Sequence, residues 1–183
     1  MKQNNNFFLS KYFKSYSNLI NNIDNQKILQ LCKDLNNIKK KNKKVIVFGN
    51  GAGAAISSHF TSDLAKTLKI KAFSFDNSAH ITCFANDYKF DNWISNTLNV
   101  FIDKQDLVIL LSASGNSKNM INAAKFLKNK KINFYSLTGF KKNNKLNSIS
   151  KKKFWINSSS YNHIEVVQSM ILLSSIDLIK KHK

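Results

Sequence analysis

The stretch Leu107–Met120, LVILLSASGNSKNM, limits what this chain can become more than any other. An apolar run, Val108-Ile109-Leu110-Leu111, stops at Ser112-Ala113-Ser114-Gly115-Asn116-Ser117, and a helical pattern begins at Asn119. A buried strand that feeds a Ser/Gly turn at a helix start brings free backbone N–H groups, hydroxyl donors and the positive end of a helix dipole to one point. That combination is a phosphate cradle. The same hexapeptide also reads as an ordinary strand-to-helix turn with Ser and Asn as caps.

The flanking sequence sets the context. Phe7–Asn22 and Gln26–Lys40 carry apolar residues at helical spacing, with Leu9, Tyr12, Phe13, Tyr16 and Leu19 on the first and Ile28, Leu31, Leu35 and Ile38 on the second. They predict two amphipathic helices ahead of the sheet. Val45–Phe48 reads as a short buried strand closed by Gly49-Asn50-Gly51, with Ala54–Lys69 as the following helix. This is a second anion-ready turn, whose glycines permit close backbone approach. It is not a dinucleotide fingerprint, because GNGAGA lacks the GxGxxG spacing. Lys71–Phe75 is a second strand, and Asn77–Phe84 and Asp91–Phe101 are helices separated by Ala85–Tyr88. Ile132–Leu137 is a fourth strand ending in Thr138-Gly139, Lys153–Ile156 a fifth, and Asn162–Lys180 an apolar closing helix. The alternation predicts an α/β fold with a doubly wound parallel sheet, in which ligands sit at the carboxyl ends of the strands. Both turns fall on that edge, which favours the phosphate reading over simple caps.

A chain of 183 residues is long enough for one full core. The natural division is a helical element over 1–42 and the sheet domain over 43–183. The formal net charge of +19 suggests a nucleic-acid partner at first sight, yet all 29 basic residues are lysines and none is arginine. Readers of nucleic acid lean on Arg for bidentate contacts, and these lysines are spread along the chain. Solvated faces and a codon bias account for them better. Cys32 and Cys83 form no CxxC pair, no run is long enough to span a membrane, and the N-terminus lacks the apolar core of a signal peptide. A cytoplasmic protein is expected.

Taken in order, Gly49-Asn50-Gly51, His59-Phe60, Ile81-Thr82-Cys83 with Asn86-Asp87-Tyr88, Ser112–Ser117 and Leu137-Thr138-Gly139 resemble the SIS (sugar isomerase) domain family, and within it the phosphoheptose isomerase branch. The resemblance implies a five-stranded parallel sheet between helices, assembled into dimers or tetramers through leading helices. It implies that Asn50, Gly51, Ala52, Asn86 and Asp87 line a sugar site, and that Ser112, Ser114 and Ser117 hold the phosphate, with Ala113 where Thr is common. It places His59 and Asp63 where the isomerases carry a metal-ligating His and a Glu that is both ligand and base. Glu165 and Leu173 stand where their closing helix has Gln and His.

Leu173 can neither ligate a metal nor carry a proton, and Asp63 is one methylene shorter than Glu. His59, Asp63 and Glu165 remain as a one-His, two-carboxylate set for a divalent ion such as zinc, and His163 and Gln168 lie close enough in sequence to substitute in part for the lost His. The segments SDLAK, ITCFANDY and YNHIE are similar to a side branch associated with surface-polysaccharide sugars. Two functions follow. One is an aldose–ketose isomerase acting on sedoheptulose 7-phosphate or a relative, with Asp63 or Glu165 as base and a metal on His59 as electrophile. The other is a non-catalytic module that binds phosphosugars and acts through its oligomer, as a replication-initiator-associating relative does.

Overall fold

The computed structural model describes residues 2–182; Met1 and Lys183, the ends of the two predicted segments, lie outside them. The apolar run before the serine turn forms β3 (Leu107–Ser112), buried along its whole length at the centre of the sheet. Its neighbours are β1 (Lys44–Gly49) and β4 (Asn133–Thr138), with β2 (Lys71–Ser74) and β5 (Lys152–Trp155) at the edges. The order is β2-β1-β3-β4-β5, every pairing parallel.

Period-two alternation divides the core into two layers. Val45, Val47, Leu107, Ile109 and Leu111 face one side. There they meet α2 (Asn25–Lys40), α3 (Ala52–Asp63) and α8 (Tyr161–Lys181). Ile46, Phe48, Val108 and Leu110 face the other and meet α5 (Trp93–Phe101), α6 (Lys118–Asn129) and the short α7 (Lys145–Ile149). α2 is thus part of the core, with Leu31 and Leu35 wholly buried. α1 (Lys2–Asn21) lies outside it against α8, held by Tyr16 and Leu19, while Phe7, Phe8 and Phe13 remain 71%, 62% and 63% exposed.

The strand order fixes where a ligand can enter. The chain leaves β1 by way of α3 to reach β2 on one side, then crosses to β3 on the other side of β1. Right-handed crossovers place the two connections on opposite faces and leave a crevice beyond the carboxyl ends of β1 and β3. Register completes the alignment: Gly49 pairs with Leu111, so Asn50 and Ser112 leave the sheet side by side.

Three local features differ from the sequence expectations. Ala85–Tyr88 does not separate two helices but forms the last turns of α4 (Ser78–Tyr88), which Asn77 caps through Oδ1 to the N–H groups of Ala79 and His80. Asn86 and Asp87 read as a break, yet at exposed helix positions they obstruct nothing. The helix expected to reach Lys69 passes at Leu64–Leu68 into a π-helical turn that keeps Leu64 and Leu68 buried and stops at Lys69, φ +57°. α7 has too few residues to show a period, and its cap, Asn144, reads in sequence as one loop asparagine among several.

Candidate active site

Local chemistry at the two central turns follows from their smallest residues. Gly115 sits at φ +65°, and a Cβ there would strike the amide of Asn144. Gly49 has no room for a Cβ because the backbone of Gly53, at the start of α3, lies against it. Each turn therefore delivers its helix start directly onto the sheet edge. The Gly115 N–H donates to Ser112 O at 3.0 Å and closes the serine turn. Asn144 then braces the turn from the opposite side. It is 3% exposed, and its Nδ2 donates to Thr138 Oγ1, Gly139 O and Lys141 O at 3.2, 3.2 and 2.9 Å. Leu146 N–H donates to Gly115 O at 2.9 Å.

Ser117 occupies the cap position of α6, but its side chain makes no capping bond and accepts from Ser112 Oγ at 3.3 Å. The helix start is therefore not closed by its own serine, contrary to the simple-cap reading. Ser112, Ser114 and Ser117, with Ala113, Asn50 and Glu165, line one small cavity of about 100 Å³. That is the scale of a phosphate group, not of a whole sugar. Among the described residues no lysine lines it and the one ionisable carboxyl is that of Glu165, so an anion there would be held by hydroxyls, backbone N–H groups and the helix dipole.

Asn50 is held by a partner that sequence reasoning missed. Its Nδ2 donates to Asn119 Oδ1 at 3.1 Å, and Asn119 Nδ2 donates back to Asn50 Oδ1 at 3.0 Å. Asn119 is 2% exposed, and its Oδ1 also accepts from the Met120 N–H at 3.0 Å. Tyr161 was missed as a lining residue too; Gln168, singled out in the sequence only as a stand-in for the lost His, lines the cavity and, 1% exposed, donates to Leu137 O at 2.7 Å. Nothing in a lone Asn or Tyr marks it for a site. Only the crevice of the fold brings these residues together.

The remaining expected residues are placed elsewhere. Gly51 and Ala52 open α3 on its exposed side. Asn86 and Asp87 sit at the exposed end of α4, bonded to each other at 2.9 Å, and do not line the cavity. His59 and Asp63 form an i, i+4 pair with Nε2 to Oδ2 at 3.3 Å, their side chains 61% and 32% exposed. Glu165 does not join them: among the described residues no three His, Cys, Asp or Glu side chains converge as a metal would require. The donor set present in one chain does not fit a resident divalent ion. His163 is also committed elsewhere. Its Nε2 lies 3.1 Å from Ser15 Oγ, and its ring packs on Tyr12 and Tyr16 at 5.1 and 4.6 Å, which pins α1 to α8. It does not stand in for the position of Leu173, and the committed amide of Gln168 does not either.

Comparison with known proteins agrees with the fold. The SIS domain family matches residues 11–139. A probable phosphoheptose isomerase of Thermoplasma volcanium is 33% identical over 138 residues, 72% of this chain and 70% of the relative. The phosphoheptose isomerase of Fusobacterium nucleatum is 29% identical over 157 residues, 83% of this chain and 80% of the relative. Among solved structures, the phosphoheptose isomerase GmhA of Neisseria gonorrhoeae superposes with a TM-score of 0.87 over 96% of this chain and 98% of the other. At 21% identity it shows a shared fold.

Proposed function

The chain belongs to the SIS domain family, and on that premise we propose that it is a sugar-phosphate isomerase of the phosphoheptose type. The observation that carries the reading is the serine-lined cavity at the crevice between β1 and β3, with the His59–Asp63 pair on the helix that leads away from it. A phosphate seated on Ser112, Ser114 and Ser117 fixes one end of the substrate. Asn50 and Glu165 then receive the hydroxyls nearest to it. His59 lies six residues beyond Gly53, about 9 Å along α3 at 1.5 Å per residue. That suits the far end of an extended seven-carbon chain such as sedoheptulose 7-phosphate.

The chemistry at that end is movement of a proton between C1 and C2 through an enediol. Asp63 Oδ2 lies 3.3 Å from His59 Nε2; the Asp63 carboxylate takes the proton from one carbon and returns it to the other, and the His59 imidazole carries the hydroxyl proton between the two oxygens. The exposed phenyl rings of α1 make this helix the surface through which copies of the chain associate, and the open side of His59 would close against a neighbour. Among the described residues no helix is long and apolar enough to cross a membrane. A cytoplasmic place in surface-polysaccharide sugar synthesis fits this reading.

A second reading has its own support. Leu173 in place of a His, and the separation of Glu165 from His59, favour a binding module without turnover. Incubation of the protein with sedoheptulose 7-phosphate and quantification of the aldose product decides between them. Turnover should be measurable and should fall by about 10²-fold or more in His59→Ala. No product at high enzyme concentration assigns the protein to the binding class.

A further inference from the structure

We infer that Asn119 is a positioning residue for the ligand site: it fixes which way the Asn50 amide faces. The inference rests on the proposal that the cavity takes a sugar phosphate, and it concerns a residue outside the cavity lining. The two amides are paired head to tail, each donating once and accepting once, at 3.1 and 3.0 Å. An amide side chain has two N–H donors and two acceptor lone pairs. The pairing uses one of each on Asn50 and leaves one N–H and one lone pair for a ligand, in a set orientation.

Asn119 is itself held in register. It is 2% exposed in the first turn of α6, and its Oδ1 accepts a second bond, from the Met120 N–H. Because that oxygen is committed as an acceptor, the Asn119 amide cannot be turned over without setting an N–H against an N–H. The orientation of Asn50 follows from it. The same pair ties the turn after β1 to the turn after β3, so the hydroxyl-binding and phosphate-binding halves of the crevice share one reference point. A free Asn50 would present oxygen and nitrogen interchangeably and would lose discrimination between a sugar hydroxyl and a carbonyl.

A mutant cycle of Asn50→Ala, Asn119→Ala and the double variant tests this, with affinity for sedoheptulose 7-phosphate and for inorganic phosphate measured by calorimetry. Asn119→Ala should weaken sugar-phosphate binding by about tenfold and leave inorganic phosphate within about twofold. In the Asn50→Ala background it should cost nothing further. An equal loss for both ligands, or a loss that persists without Asn50, shows a structural role only and overturns the inference while leaving the site standing. A wild-type protein that binds neither ligand overturns both. If Asn119→Ala does not fold, Asn119→Ser carries the same cycle.

Discussion

Replacement of Gly115 by Ala should be among the more damaging single-methyl changes available in this protein, and its cost can be worked out from two separate causes. The first is backbone strain: a residue with a Cβ held at φ +65° costs about 1–2 kcal/mol. The second is collision, because the new methyl overlaps the Asn144 amide. Asn144 cannot yield freely, since it bonds Thr138, Gly139 and Lys141 and accepts from Asn147 N–H at 2.9 Å. Loss of one or two of these bonds adds about 1–2 kcal/mol at roughly 1 kcal/mol each. The sum is about 2–4 kcal/mol, or a drop in Tm of roughly 4–16 °C for a chain of this size. Thermal and urea unfolding followed by circular dichroism measure it. The cycle with Asn144→Ala separates the causes: with the amide gone, only the strain should remain. A Gly115→Ala protein within 1 °C of wild type would refute both causes, and full additivity in the cycle would refute the collision.

Other outcomes follow from the same geometry. Ser114→Asp should leave the unliganded Tm nearly unchanged yet abolish stabilisation by sugar phosphate, which at 100-fold excess over Kd is worth about 2.7 kcal/mol in the wild type; equal thermal shifts in both proteins would remove the serine turn as the phosphate seat. Burial holds the His80 imidazole, bonded to Thr97 Oγ1 at 2.9 Å, below its usual pKa, so the unfolded chain takes up the proton first. Stability at this residue is therefore complete above about pH 6.5 and is lost as pH falls below it; His80→Gln should flatten that limb of the stability–pH curve, and an unchanged slope would exclude the assignment. Removal of residues 1–22 should reduce the subunit number seen by light scattering while the sheet stays folded, whereas removal of 1–40 takes wholly buried Leu31 and Leu35 with it and should unfold the chain. A truncated 1–22 variant with an unchanged subunit number would contradict the role of α1.

The fold could be read from the sequence because each layer leaves its own period. Val45–Phe48 and Val108–Leu111 are apolar at every position, which only a strand covered on both faces requires, and the helices between them are long enough to show a stripe. What escaped notice lacks such a signal. Asn86-Asp87 looks like a break and is a solvent-facing helix end; α7 is too short to repeat. The serine turn could be picked out as anion-ready because its residue types are themselves the chemistry. Asn119, Asn144 and Tyr161 could not, because each acquires its role only when a strand or helix distant in sequence arrives beside it. The same reasoning explains His163, two residues from Glu165 yet turned to Ser15 by the helical rotation.

The absence of lysine from the cavity lining among the described residues, in a chain with a formal charge of +19, separates how a ligand arrives from how it stays. The lysines set up a field that draws a phosphorylated sugar in from beyond its contact distance, and dissolved ions weaken that field over about 8–10 Å. A phosphate seated in that cavity, as proposed, would meet uncharged donors, on which added salt has little effect. Ionic strength should thus slow association and leave residence time almost unaltered. A molecule built this way gathers anions quickly and still lets each one go.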